Sequence, residues 1–474
     1  TVVVREPNAS PHRPLIDTRV APSPLPANES ERPSVYRAIN GCLALAAQLP
    51  GAEVWTVEGV GGTGHAGAGL NAIRSRAEAQ LHPVQEAIAT TGGSQCGFCT
   101  PGFVMTMFAS YYSPLVTDSQ SVDPGGEVLA GNLCRCTGYR ALRSVAALTS
   151  GAGLARGSEH ADHFARRLHD PVLGAVPAEL GSAVVAYRPS TLAEAIARRA
   201  SEPGLRVIAG ATDVGVEVTR GFKRYPGILS LDAITDPIFS SCSRADGNIT
   251  IGAGVTMTAL EDFLREGGLP LAGQMLPWFA SRQIRNRATV GGNLMTASPI
   301  GDMSPVWLAH DAVALIGGLS GFREVRVADF FTGYRLTAVG ADELLVALRI
   351  DDSEAPPRGR RVAWVRKVAR RDRVDISTVA GAFLVVLDDR GTVVSARLAY
   401  GGVAATPVRA LRAEEALIGA VWRDGDGRIK DARALLASAF TPLSDHRGSA
   451  SYRQRLITGL FDACLSETGI GSDR

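Results

Sequence analysis

The sequence contains no run of about eighteen uncharged apolar residues, and its first residues form neither the basic nor the apolar region of a secretory leader. A membrane-spanning helix and secretion are therefore not expected, and a cytoplasmic protein is. Charge of one sign is also missing: 49 Lys and Arg against 47 Asp and Glu leave a net +2. That balance gives no electrostatic footprint for nucleic acid or an anionic membrane surface. Cysteine is scarce. Seven in 474 residues are too few for a disulfide scaffold. Four of them stand in two tight pairs, a distribution that favours metal over disulfide in a reducing compartment.

With 45% apolar residues, a chain of this length can bury substantial cores and would ordinarily divide into about three domains. It opens Thr1-Val2-Val3-Val4, without a Met, and reads as a strand already under way, so a fragment is expected. Residues 7–33 hold seven prolines among polar residues, too little apolar surface to order itself, and read as a flexible insertion. A second low-information stretch, about residues 151–181, separates a cysteine-bearing part from a cysteine-poor part and marks the main boundary. His160, His163 and His169 fall in it, but no Cys or carboxylate constellation completes a zinc set around them.

The strongest chemistry lies in Cys96-Gly97-Phe98-Cys99 and Cys134-Arg135-Cys136. Between the pairs, Phe103-Val104-Met105-Thr106-Met107-Phe108 is apolar enough for a buried helix, with Pro101 suited to its first turn. Gly131 and Gly138 supply sharp turns beside the later cysteines, and the economical picture is a two-helix hairpin presenting both pairs at one end. Four thiolates can hold one iron–sulfur cluster. The residues alone also allow a structural zinc site or four inert buried thiols. Zinc knuckles usually have two- to four-residue spacers on both sides, so the single-residue spacer of Cys134 and Cys136 favours iron–sulfur.

Gly59-Val60-Gly61-Gly62-Thr63-Gly64 satisfies G-x-G-x-x-G after a plausible strand. A dinucleotide fingerprint would need a helix opening at the glycines and a parallel strand ending near an acidic residue, whereas this stretch runs into the cysteine region and reads as a connector. The second half alternates β-rich stretches, such as Arg206-Val207-Ile208-Ala209 and Asn248-Ile249-Thr250-Ile251, with helical patterns such as Thr191-Leu192-Ala193-Glu194-Ala195-Ile196. That is α+β patterning. Ala209-Gly210-Ala211-Thr212-Asp213-Val214 follows a strand with a small-residue turn where backbone amides could meet a pyrophosphate. Thr289-Val290-Gly291-Gly292-Asn293 repeats the device ahead of Asp302, although both also read as ordinary tight turns.

Two longer motifs carry a resemblance. Residues 95–102, Gln95-Cys96-Gly97-Phe98-Cys99-Thr100-Pro101-Gly102, and 131–139, Gly131-Asn132-Leu133-Cys134-Arg135-Cys136-Thr137-Gly138-Tyr139, resemble the all-helical [2Fe–2S] domain of xanthine dehydrogenases and aldehyde oxidases. Ala141 stands where the family commonly has proline. The resemblance implies that Cys96, Cys99, Cys134 and Cys136 ligate one cluster and that Gln95 contacts the pterin of a molybdenum cofactor held by a partner. Upstream, Tyr36-Arg37-Ala38-Ile39-Asn40-Gly41-Cys42-Leu43 and Ala52-Glu53-Val54-Trp55-Thr56-Val57-Glu58-Gly59 are similar to the end of the family's plant-type ferredoxin domain. Cys42 would be that cluster's fourth ligand, while the C-x4-C-x2-C loop with the other three is absent, leaving a second site incomplete. Trp278-Phe279-Ala280-Ser281-Arg282-Gln283-Ile284-Arg285-Asn286-Arg287 leading into Thr289 resembles the FAD-binding domain of the same enzymes. By position, Ala209, Gly210, Ala211, Thr212, Asp213, Val214, Phe279, Thr289, Val290, Gly291, Gly292, Asn293, Asp302, Leu345 and Lys367 would contact FAD. Tyr400-Gly401-Gly402-Val403 resembles the C-terminal domain that follows, and Cys242 and Cys464 match no ligand position.

The expected fold is multidomain α+β. Residues 1–60 form a truncated ferredoxin-like remnant, 61–150 an all-helical [2Fe–2S] domain and 151–181 a linker. Residues 182–352 form an α+β FAD-binding domain of the molybdenum-hydroxylase flavoprotein type, and 353–474 an α+β C-terminal flavoprotein domain. The resemblance implies the electron-transfer subunit of a xanthine dehydrogenase-type molybdenum hydroxylase, an oxidoreductase that needs no catalytic residue of its own. It would pass electrons from a molybdopterin-binding large subunit via [2Fe–2S] to FAD and then NAD, within a hetero-oligomer. Alternatives are the equivalent subunit of a hydroxylase acting on aldehydes, carbon monoxide or aromatic acyl thioesters, and a zinc-stabilised interaction protein.

Overall fold

The computed structural model describes residues 1–6, 34–61, 81–112, 124–150, 154, 162–168, 170, 179–180, 185–352, 359–371 and 373–469. The Pro-rich stretch, Gly62 to Gly64 of the glycine motif, His160, His169 and most of the expected linker lie outside these residues. The chain forms two units. The first comprises Thr1–Leu180 with Ala211–Arg224 and Ala280–Arg287; the second comprises Gly181–Gly210, Tyr225–Phe279 and Ala288–Arg474.

In the first unit Val2–Glu6 is indeed a strand, and it is the centre of a three-stranded antiparallel sheet between Val35–Ile39 and Glu53–Trp55. Val4 pairs with Arg37 on one side and Val54 on the other. Among the described residues up to Ser150, the helices longer than a single turn that follow are Pro83–Thr90, Thr100–Tyr112, Pro124–Leu129 and Arg140–Ser150. Thr100–Tyr112 is the hub, since every residue from Phe103 onward is buried, and a helix apolar on all sides must be enclosed on all sides. The expected two-helix hairpin is thus a four-helix arrangement. A helix enclosed all round needs more neighbours than one partner can give. Val3, Tyr36 and Ala38 of the sheet share its core with Phe103, Met107 and Phe108, and so do Phe164 and Leu168 from the expected linker. Arg5 and Arg167 grip Glu53 at 2.6 and 2.7 Å. Burial pushes the Glu53 carboxyl up, but these hydrogen-bonded arginines outweigh it and hold it at about 2.

The second unit is α+β, as the sequence pattern indicates. Val185–Tyr187 and Arg206–Ile208 both pair in parallel with Gly227–Ser230. Thr191 caps Leu192–Ser201 with a reciprocal Glu194 contact, a capping box. A five-stranded antiparallel sheet runs in the order Gly321–Arg326, Val313–Gly318, Leu344–Asp351, Asn248–Gly252, Cys242–Ala245. Beyond it, Arg360–Val368, Val379–Leu387, Val393–Gly401 and Val408–Arg409 form an antiparallel meander. Val379–Leu387 is buried along its whole length, and the helices Leu411–Leu417, Gly427–Leu436 and Ala450–Thr468 complete the core around it. No helix among the described residues is long and apolar enough to cross a membrane.

Candidate functional site: a four-thiol end and a flavin-type cradle

Both cysteine motifs lead into helix N-termini. Cys99 directly precedes Thr100–Tyr112, and its carbonyl accepts from Phe103 N at 3.3 Å; Cys136 stands just ahead of Arg140–Ser150. The positive end of a helix favours a thiolate. Gly131 and Gly138 take φ of +95° and +63°, the sharp turns that the sequence suggested.

The four thiols come together as two pairs, each with one member from each motif. The Cys136 thiol donates to Cys96 Sγ at 3.3 Å, and Cys99 makes a side-chain hydrogen bond with Cys134. The Thr137 hydroxyl lies 3.0 Å from Cys134 Sγ, Thr137 N donates to the same sulfur at 3.4 Å, and Cys134 N donates to Tyr139 Oη at 2.8 Å. The Thr137 hydroxyl, then its amide, pull the Cys134 thiol down to about 7, whereas burial and the bond to Cys134 push Cys99 up to about 11. Among the described residues no three His, Cys, Asp or Glu side chains are gathered around one ion. Two thiol pairs suit two irons with two thiolates each better than four ligands on one tetrahedral zinc. The donor set therefore fits a [2Fe–2S] cluster. Gln95 is exposed at the same end, and the neighbouring Phe98 and Leu133 are 94% and 77% exposed. Cys42 is exposed on the turn after Val35–Ile39 and belongs to no such group.

The expected FAD contacts fall into two sets. Ala211, Thr212, Asp213 and Val214 belong to the first unit; Ala209, Gly210, Phe279, Thr289, Val290, Gly291, Gly292, Asn293, Asp302, Leu345 and Lys367 belong to the second. At the first turn Ala211, not Gly210, takes the left-handed conformation, with φ +57°, and opens the helix Thr212–Thr219. A strained alanine at such a junction is held by its surroundings. Its methyl makes no cap hydrogen bond, and Asp213 places a carboxyl in the first turn.

The second turn works differently from the expectation. Val290 N donates to Val255 O, Gly291 N to Ala253 O, Gly292 N to Thr289 Oγ1 and Asn293 N to Thr289 O, all within 2.9 to 3.0 Å. Those amides are already committed to protein acceptors. Gly291 is required by packing, because a Cβ there would lie 2.5 Å from Ala253 Cβ and 2.8 Å from Ala253 O. What this turn presents is the bare, exposed Gly292 and the buried Asn293 Oδ1, which has no partner among the described residues. Ser304 Oγ, beyond Asp302, is buried and unpartnered in the same way. Orphaned polar atoms beside side-chain-free backbone fit a polar ligand that completes their hydrogen bonds. Helix Val290–Met295 packs on Leu344–Asp351, bringing Leu345's strand to the turn.

Asp302 and Lys367 do meet: Lys367 Nζ donates to Asp302 Oδ2 at 2.7 Å and to Trp278 O at 3.0 Å. Ser377 Oγ donates to the other carboxylate oxygen. Burial pushes the Asp302 carboxyl up, while Lys367 and Ser377 pull it back. Ser377, the Ala253 and Val255 carbonyls and Thr137 were not singled out from sequence. The first three act across long sequence separations that no local pattern reveals. Thr137 was inside a recognised motif.

Three domain families match the chain in order. Residues 69–147 match the [2Fe-2S] binding domain family, 181–351 the FAD binding domain in molybdopterin dehydrogenase, and 364–468 the CO dehydrogenase flavoprotein C-terminal domain. Xanthine dehydrogenase 2 of Arabidopsis thaliana is 33% identical over 457 residues, 82% of this chain and 32% of the relative. Xanthine dehydrogenase/oxidase of Gallus gallus is 30% identical over 503 residues, 90% of this chain and 35% of the relative. The chain thus spans about a third of the length of the curated relatives it matches. Among solved structures, reconstituted CO dehydrogenase from Oligotropha carboxidovorans superposes with a TM-score of 0.54 at 28% identity, over 60% of this chain and 96% of that one. Quinoline 2-oxidoreductase from Pseudomonas putida 86 gives 0.54 at 25%, over 62% and 99%. With all three domain families in order along it, the chain belongs to the molybdenum hydroxylase family, as its iron–sulfur and FAD-binding part.

Proposed function

We propose that this chain is the electron-transfer subunit of a xanthine dehydrogenase-type molybdenum hydroxylase, taking electrons from a molybdenum site on a partner subunit and delivering them to NAD. The observation that carries the reading is the meeting of Cys96 with Cys136 at 3.3 Å and of Cys99 with Cys134, on a chain that also matches an FAD-binding domain. FAD, when bound, can accept electrons singly and hand on a hydride, which joins one-electron clusters to a two-electron acceptor.

The chain's own residues would supply binding and position. Cys96, Cys99, Cys134 and Cys136 would hold one complete cluster, with Thr137 and Tyr139 fixing the Cys134 loop. Cys42 would contribute one thiolate to a second cluster. The helix start at Thr212 would face an anionic part of the flavin nucleotide; in the second unit the bare Gly292 would admit the nucleotide closely, and Asn293 would complete a hydrogen bond with it. Lys367 holds Asp302 in place. Gln95, exposed beside Cys96, would touch the partner's pterin. A purine substrate is suggested by the names of the xanthine dehydrogenase relatives; NAD as acceptor, a hetero-oligomer and a cytoplasmic site belong to the same proposal.

A second reading, the same role in a hydroxylase with another substrate, is favoured by the likeness to CO dehydrogenase and quinoline 2-oxidoreductase. The test combines the chain with candidate molybdenum subunits and follows bleaching of the flavin band on addition of xanthine, an aldehyde, carbon monoxide or an aromatic acyl thioester. Bleaching by xanthine, with return of the band on adding NAD, supports the first reading. Bleaching by one of the others alone transfers the proposal to the second.

A further inference from the structure

The stretch matched as FAD-binding does not pack as one block: Ala211–Arg224 and Ala280–Arg287 belong to the iron–sulfur unit. Each adjoins one of the expected flavin turns, the first including residues 211–214 and the second ending just before Thr289. Within that unit both are gripped tightly. A Cβ on Gly215 would lie 2.5 Å from Leu43 O, on the turn that carries Cys42. Arg285 pairs with Glu127, both side chains buried, on the helix just ahead of the Cys134 loop, and Asn286 Nδ2 donates to Ala38 O at 2.8 Å.

Gln283 is the most telling contact. It is 1% exposed, and its Nε2 donates to Thr106 Oγ1 at 3.3 Å. The same oxygen accepts from Asn132 Nδ2 at 2.7 Å, two residues before Cys134. Gln283 Oε1 has no hydrogen-bond partner among the described residues, and a Cβ on Gly131 would lie 2.4 Å from it. Leaving a buried amide oxygen unpaired costs about 1–3 kcal/mol, so the side chain is held there by its bond to Thr106 and by close packing against Gly131 of the thiol loop. Movement of the thiol loop must therefore displace Gln283, six residues before the cap of the flavin turn.

Resting on the reading that these loops bind [2Fe–2S] and FAD, we propose that Gln283 is a positioning residue through which the metal-filled thiol loop sets the flavin turn, so that cluster and FAD bind cooperatively. Coupling between sites is reciprocal: if the cluster tightens FAD, FAD must in turn favour the cluster-bound arrangement.

The test titrates FAD into the full chain, with its cluster and after iron removal by a chelator, and reads flavin fluorescence. In the parent, removing the cluster should weaken FAD binding by about tenfold, within the usual range of such couplings. In Gln283→Ala and in Thr106→Val, which removes the bridging hydroxyl at nearly constant shape, the ratio should fall to about twofold or less. A merely structural role would weaken FAD equally with and without the cluster. In the reverse direction, removing FAD should change the cluster's visible circular dichroism in the parent and leave it unchanged in Thr106→Val; this second readout needs no cluster-free protein. Equal FAD affinity with and without the cluster, or an unchanged ratio in both variants, overturns the coupling while leaving the functional reading intact. A chain that takes up neither iron nor FAD overturns the functional reading itself, and the coupling with it.

Discussion

Lys367 Nζ lies 2.7 Å from Asp302 Oδ2 although the residues are 65 positions apart, and the two side chains are only 3% and 10% exposed. Removing the cation strands a buried carboxylate. Lys367→Met should therefore destabilise the second unit by about 3 kcal/mol, within the range for breaking a buried pair. The pH dependence has a definite sign. Burial already raises the folded-state carboxyl above its ordinary value, and loss of the lysine raises it further. A raised folded pKa gives stability present at low pH and lost as pH rises through it. The mutant's deficit in denaturant unfolding should thus be larger at pH 7.5 than at pH 5, and an equal deficit would show that Lys367 acts only by packing.

His82 predicts acid sensitivity in the other unit. Its Nδ1 accepts from Val84 N and its Nε2 lies 2.9 Å from Tyr112 Oη, which donates to Asp162 at 2.9 Å. Burial lowers the imidazole to about 4. A depressed folded pKa means that the unfolded chain binds the proton first, so stability should fall as pH drops from about 6.5 towards about 4, by up to about 3 kcal/mol. His82→Gln should start less stable at pH 7 and show a flatter slope over that window. An unchanged slope would remove His82 from the acid response.

Packing around the glycine turn predicts an order of effects. Gly291→Ala drives a methyl into Ala253 backbone and side chain, whereas in Gly292→Ala it meets only Thr289 Oγ1, at 2.9 Å. FAD affinity, read by fluorescence quenching, should fall strongly in the first and less in the second, with iron content near the parent value in both. The reverse order would mean that ligand clearance, rather than the fit against Ala253, decides this site.

The free thiols should differ in reactivity. With iron removed at pH 7, iodoacetamide should label Cys134, held near 7 by Thr137, well before Cys99, pushed to about 11. Thr137→Val should narrow the lead of Cys134 without abolishing it, because the backbone amide at 137 still donates to the sulfur and Cys99 stays buried. Peptide mass spectrometry reads both, and equal labelling of the two cysteines in the parent would contradict the hydrogen-bond assignment.

The cysteine motifs, the buried helix between them, the helix after Thr191 and the initial strand were legible in sequence because each depends on residues within a few positions. The number of helices around Thr100–Tyr112 was not, because Phe103 to Tyr112 announce burial without saying by what. At Thr289 the turn was legible but its chemistry was not, since the Ala253 and Val255 carbonyls that occupy its amides come from a distant strand end. At the first turn the left-handed residue is Ala211 rather than the adjacent Gly210, a choice that no propensity would make.

The most direct test of the account is the visible spectrum of the purified, reconstituted full chain, together with its iron, zinc and flavin content. Flavin and [2Fe–2S] absorption, with at least about two irons per FAD held by the four paired thiols, is the predicted result. A colourless chain loaded with zinc would contradict the redox role.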